Sequence, residues 1–184
     1  MKLFSENIED LRTLYIANLR KALDMEQKIT KALPTMIEKS TDQQLATAFT
    51  NHLEETRGHV AKVESLLRDA TGDADTSACK AISSLISEAE DGIKDAGDTS
   101  IRDITLIASA QEVEHHEMAV YGTLRNWAEL LGLTEAADTL ESILQEEKKA
   151  DELLTSISDT VNTSADIGKV GVPAEKTRTY RPAV

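Results

Sequence analysis

The stretch IASAQEVEHHEMAVYGTL, residues 107–124, carries the signal from which the architecture follows. Ile107, Ala110, Glu114, Glu117, Tyr121 and Leu124 recur at three- and four-residue steps, the spacing of one face of an α-helix. Two glutamates therefore stand on the stripe that should pack inward. Burying even one unpaired carboxylate costs several kcal/mol, so this face needs a partner for its charge.

Working outward, three more stretches repeat the anomaly: ALDMEQKITKALP (22–34), HLEETRGHV (52–60) and ILQEEKKADELL (143–154). Together the four place Glu26, Glu55, Glu114, Glu117, Glu147 and Asp151 on inward stripes. All the histidines, His52, His59, His115 and His116, fall in two of these stretches.

The rest of the chain supplies the helices that carry them. A first helix is expected from about Asn7, as its cap, to Lys39, with Leu11, Tyr15, Leu19, Ala22, Glu26, Ile29 and Leu33 inward and Pro34 kinking its last turn. A second follows a two- or three-residue turn, capped by a Ser40/Gln43 box and ended by Gly72. Its stripe is Leu45, Ala48, Phe49, His52, Glu55, Thr56, His59, Val63 and Leu66. A turn this short makes the two antiparallel. Residues 73 to 99 form a long connection containing a short amphipathic helix, Ser77 to Lys94. A third long helix starts near Ser100, with Asp103 three residues on, and ends at Gly132. Thr134 caps a fourth, with Leu140, Leu144, Glu147, Asp151, Leu154 and Val161 inward. Two antiparallel hairpins joined by a long crossover give an all-α, ferritin-like four-helix bundle over residues 1–161. Residues 162–184 lose the period, gain Gly and Pro, and read as an extended or disordered, mildly basic tail that lies on the acidic body or on a partner subunit.

Composition agrees. Of 184 residues only 3% are aromatic, and the formal net charge is −13. Such a balance argues against nucleic acid or an anionic membrane as partner. No apolar run approaches the length of a transmembrane helix, and the acidic start of MKLFSENIED does not read as a signal peptide. Cys79 is alone, so there is no intramolecular disulfide framework. The chain reads as cytoplasmic and soluble.

The two hairpins look like a weak internal repeat. Glu26 aligns with Glu114, Glu55 with Glu147, and His59 with Asp151. Glu26 and Glu55 are 29 residues apart, Glu114 and Glu147 33, so each pair should lie at a similar height above its turn. Two divalent ions about 4 Å apart repel unless anions bridge them. Carboxylates do that, and imidazole completes the set. A donor set this rich in oxygen favours iron or manganese over zinc or copper. Taken singly, an inward Glu is usually a boundary residue that reaches water, and a lone His52 is more often a satisfied core histidine. Four helices placing acids in phase outweigh those readings. The candidate ligands are Glu26, His52, Glu55, His59, Glu114, Glu117, Glu147 and Asp151, with His52 or His59 open as the imidazole on the second helix. Glu147 is preferred to Glu146 because it keeps phase with Leu144 and Asp151. The literal Glu-x-x-His at Glu112 and His115 is read as a decoy at the edge of the stripe. Tyr15 and Tyr121 are read as hydrogen-bonding caps on the polar network.

These four stretches, in this order, resemble the YciE/YciF-like family of stress-linked bacterial ferritin-like proteins, most closely its YciF branch. The resemblance covers residues 4 to 161. It implies a four-helix ferritin-like fold with an extra short helix, a di-metal centre and a homodimer, with matching positions at Glu26, His52, Glu55, Glu114, Glu117, Glu147 and Asp151. His59 departs from the family's pattern, in which Gln is common. The resemblance supplies no substrate. The leading expectation is a di-iron or di-manganese oxidoreductase, two metal ions per chain, acting on peroxide or dioxygen. The alternatives are a non-catalytic metal-binding protein and a metal-free helical interaction bundle.

Overall fold

The computed structural model describes residues 8–164 and is all α among them. Five helices follow in order: α1 Leu11–Lys39, α2 Gln43–Thr71, α3 Lys80–Asp95, α4 Thr99–Leu130 and α5 Thr134–Ser164. Helices α1 and α2 form one hairpin and α4 and α5 the other; α1 packs across to α4, α2 to α5, and α3 lies against α4 and α1. This is the ferritin-like arrangement expected from the stripes, with the short helix in the crossover.

The caps differ from the expected ones. Asn7 lies outside the described residues, and α1 is capped by Asp10, whose side chain accepts from Thr13 N at 2.7 Å while the Thr13 hydroxyl accepts from Asp10 N. The Ser40/Gln43 box does not form. Ser40 closes α1, donating its N–H to the Met36 carbonyl, and Asp42 caps α2 by accepting from Gln44 N and Leu45 N. The Ser40 hydroxyl is spent on the Met36 carbonyl, at 2.7 Å, which leaves Asp42 as the acceptor for the first turn of α2. The helix runs on through Pro34 to Lys39. In the crossover α3 starts at Lys80 rather than Ser77, and α4 starts at Thr99 with Asp98 as its cap. Asp103 serves another part of the chain: buried, it accepts from Thr41 N, Thr41 Oγ1 and Asp42 N, all within 2.9 Å, and so pins the α1–α2 turn.

At the other turn Leu131 caps α4 and Gly132 follows at φ 73°, a left-handed conformation that glycine adopts without strain. Thr134 is the first residue of α5, and Leu133 supplies the carbonyl that Ala137 N bonds. Helix α5 continues past the expected boundary at 161 to Ser164; from 165 on, the expected tail lies outside the described residues.

The core is the union of the four stripes, with Tyr15, Leu19, Leu23, Leu45, Leu67, Leu106, Tyr121, Leu124, Leu140 and Ile143 almost fully buried. Ile82 seats α3 on this core, and Gly92 lets it approach α4 closely: a Cβ there would meet Thr105 Cγ2 at 2.8 Å. Midway along the bundle the apolar layers are interrupted by Glu26, His52, Thr56, His59, Glu114, Glu117 and Glu147, all buried.

Candidate metal centre

Helical period brings the polar layer together. On α4, Glu114 and Glu117 replace two apolar rungs between Ala110 and Tyr121. On α2, His52, Thr56, His59 and Val63 form the inward edge. Glu26 and Glu147 do the same on α1 and α5.

Two groups of ligand atoms result, each with its members within 4.8 Å of one another: His52, Glu114, Glu117 and Glu147 in one, Glu26, His59 and Glu147 in the other. Each group has one histidine, and Glu147 belongs to both. His52 Nε2 is 3.4 Å from Glu114 Oε1, and His59 Nδ1 is 3.8 Å from Glu26 Oε2. His59 Nδ1 also comes within 3.0 Å of Glu147 Oε1, a close approach that misses hydrogen-bond alignment.

Not all the expected residues are drawn in. Glu55 was expected on the buried stripe, yet its side chain is about half exposed, with Oε2 3.7 Å from His52 Nδ1. At about 100° per residue it stands some 60° around the axis from His52, on the flank of α2. Asp151 is half-buried; it accepts from Gln111 Nε2 at 3.2 Å and lies 3.8 Å from His115 Nε2. Glu112 is exposed, and His115 is largely so, with Nδ1 2.9 Å from the Gln111 carbonyl oxygen. His116 lies outside the cluster, with Nε2 3.8 Å from Cys79 Sγ.

Two supporting contacts surround the groups. The Tyr121 hydroxyl donates to Glu26 Oε1 in a buried hydrogen bond. Glu146, beside Glu147 but only half-buried, takes His59 Nε2 at 2.7 Å and Lys62 Nζ at 2.9 Å. Helical period offers Glu146 only as a rival to Glu147. Its pairing with His59 joins residues 87 apart, and no spacing signals it.

The electrostatics follow from burial. Glu26 is pushed up to about 7 by burial and then by the charge of Glu147. Glu114 is pushed up to about 8 by burial, and Glu147 adds to the push, against the pull of His52. Glu117 rises well above the usual carboxylate range through burial and its acidic neighbours. Burial opposes the charged form of both histidines, but the carboxylates outweigh it: Glu55 and Glu114 bring His52 to about 9, and Glu147 and Glu26 bring His59 to about 9. The folded chain thus concentrates negative potential here and retains protons to relieve it.

Nine side-chain oxygen and nitrogen atoms of Glu26, His52, His59, Glu114, Glu117 and Glu147 are buried with no hydrogen-bond partner among the described residues. Native interiors leave few such atoms. Their number, convergence and chemistry fit a metal cation, which carboxylate oxygens and one imidazole nitrogen per group could hold.

The family described as a domain of unknown function (DUF892) matches residues 10–166. Protein YciF of Escherichia coli (strain K12) is 35% identical over 162 residues, 87% of this chain and 98% of its own length. The crystal structure of the E. coli stress protein YciF superposes with a TM-score of 0.81 at 33% identity, covering 85% of this chain and 99% of that one. YcfI of Rhodopseudomonas palustris gives a TM-score of 0.80 at 38% identity over 83% of this chain and 98% of its own. A two-domain Anabaena variabilis protein with DJ-1/ThiJ/PfpI-like and ferritin-like domains matches in fold alone, with a TM-score of 0.58 at 19% identity over 93% of this chain and 42% of that one.

Proposed function

This chain belongs to the DUF892 family, and from that membership we propose that it is a ferritin-like stress-response protein whose buried acids and histidines hold two iron or manganese ions that act on peroxide or dioxygen. The observation that carries this reading is the set of nine buried, unpartnered ligand atoms contributed by four different helices. Similarity to the E. coli stress protein YciF supports the physiological setting.

In this reading Glu147, common to both groups, would help to hold both ions. Glu26 and His59 serve one ion, and His52, Glu114 and Glu117 the other. Glu55 and Asp151, which lie outside both groups in the metal-free fold, would have to turn inward from the flanks of α2 and α5 to complete the set. Bound in a pair, such ions supply two electrons to an O–O bond. The chain's own groups orient the ligands. Tyr121 donates to Glu26 and fixes its carboxylate. Glu146 accepts from His59 Nε2, which leaves Nδ1 as the nitrogen directed at the centre. The functional unit is a homodimer of the bundle.

A metal-free interaction bundle is the competing reading, favoured by the protons that Glu26, Glu114 and both histidines retain in the folded chain. Metal content decides between them. Mass spectrometry on protein purified without added metal or chelator should find about two iron or manganese ions per chain. Absence of stoichiometric metal, even after anaerobic ferrous addition, overturns the proposal. Steady peroxide turnover by the loaded protein then separates an enzyme from a metal store.

A further inference from the structure

The candidate centre is reached from two sides with opposite chemistry. Between α2 and α5 lies a groove of about 570 Å³ whose rim is charged, with Glu54, Glu55, Lys62 and Lys149. Between α1, α3 and α4 lies a narrow cavity of about 90 Å³ walled by Ile29, Leu33, Phe49, Ile86, Ile93 and Val113. Lys31, Thr35 and Glu90, all exposed, lie at its mouth. Phe49, His52 and Glu114 line both spaces, so the apolar cavity ends on two of the candidate ligands.

We propose that the cavity beneath α3 is a dioxygen channel: a holding site and access route for a neutral apolar diatomic, separate from the groove that admits polar molecules. Its volume is several times the ~10–15 Å³ that a cavity needs to admit one water-sized molecule, enough for one or two diatomic molecules. Beyond its polar mouth, and apart from Ser109 and the two candidate ligands at its inner end, its walls are apolar, and apolar cavities take up apolar gases. The wall is built, not incidental. Ile82 buries α3 against the core, and Gly92 brings the helix onto α4 at a distance no other residue allows without displacing Thr105. The crossover helix thereby acquires a role: it closes the apolar side of the bundle and leaves a gas-sized passage.

This inference rests on the metal-centre reading for its purpose but not for its test, because an apolar gas binds the cavity with or without metal. Crystals of the protein as purified, pressurised with xenon, should show density among Phe49, Ile86 and Val113. Ala89→Phe, on α3, which carries no candidate ligand, should abolish it, whereas Ala150→Phe in the polar groove should retain it. Ferrous-loaded A89F should take up dioxygen about tenfold more slowly than the parent and hydrogen peroxide at an unchanged rate. No xenon in the parent, xenon persisting in folded A89F, or an unchanged dioxygen rate would overturn the channel. Xenon binding in a protein that takes up no metal leaves the channel standing and removes the proposed function instead.

Discussion

Glu146 Oε2 lies 2.7 Å from Nε2 of His59, and the ring so held directs its other nitrogen, Nδ1, toward Glu26 and Glu147. A carboxylate behind an imidazole fixes which nitrogen carries the proton and which is offered to a cation. Lys62 Nζ, 2.9 Å from the same Glu146 oxygen, keeps that carboxylate in place.

Glu146→Ala should therefore weaken metal affinity by about 10- to 100-fold without loss of helicity. Competitive metal titration with circular dichroism on the same samples measures both. Unchanged affinity would mean that His59 Nδ1 is not a ligand.

Glu55 poses a different question, because its side chain is half exposed beside His52. Glu55→Ala should lose at least one metal ion per chain with the fold intact, as measured by mass spectrometry. Full metal retention would reduce Glu55 to a support for His52.

The retained protons set the pH dependence of the metal-stripped protein. Glu26 and Glu114 are pushed up to about 7 and about 8 in the fold from an ordinary 4.5, and His52 and His59 to about 9 from 6.5. All four are raised, so the folded chain binds more protons than the unfolded one between roughly pH 4.5 and 9. Their contribution to stability is present at the acid end of that window and is lost as pH rises through it. The melting temperature of the stripped protein should fall from about pH 5 to about pH 9. Metal must expel the same protons, so its affinity should rise over the same range. Thermal melts with and without metal test both. A stripped protein that gains stability toward pH 9 would contradict the assignment of these groups as the protonated ones.

Asp103 gives a control remote from the candidate ligands. Asp103→Ala removes the acceptor for Thr41 N, Thr41 Oγ1 and Asp42 N. Leaving these donors unsatisfied should cost about 2–3 kcal/mol. Denaturant unfolding should show that loss while metal content stays unchanged. A loss of metal would show that the α1–α2 turn sets the register of the centre.

The four long helices, their inward faces and the identity of most buried polar residues were legible in the sequence. Ile107, Ala110, Glu114, Glu117, Tyr121 and Leu124 on α4 are buried as their spacing requires. Such a stripe is a local property: 3.6 residues per turn fixes which side chains share a face whatever the neighbouring helix does. Period fixes direction only coarsely, so Glu55, some 60° off the centre of its face, could not be told from His52 or Thr56. Caps were misplaced where two candidates stood side by side, as with Ser40 and Asp42.

What tertiary structure decided was every pairing between helices. That Glu147 belongs to both groups of ligands, that Glu146 holds His59 across 87 residues, and that Asp103 caps a turn about 60 residues earlier depend on the rotation and height of one helix against another. The seat of α3, and the apolar passage it leaves above His52 and Glu114, depend on the same quantities. Rotation and height are set by the packing of the whole core, because each helix settles where all its neighbours' side chains interlock. Helical period along the chain thus sets which residues face inward; the assembled bundle sets which of them meet.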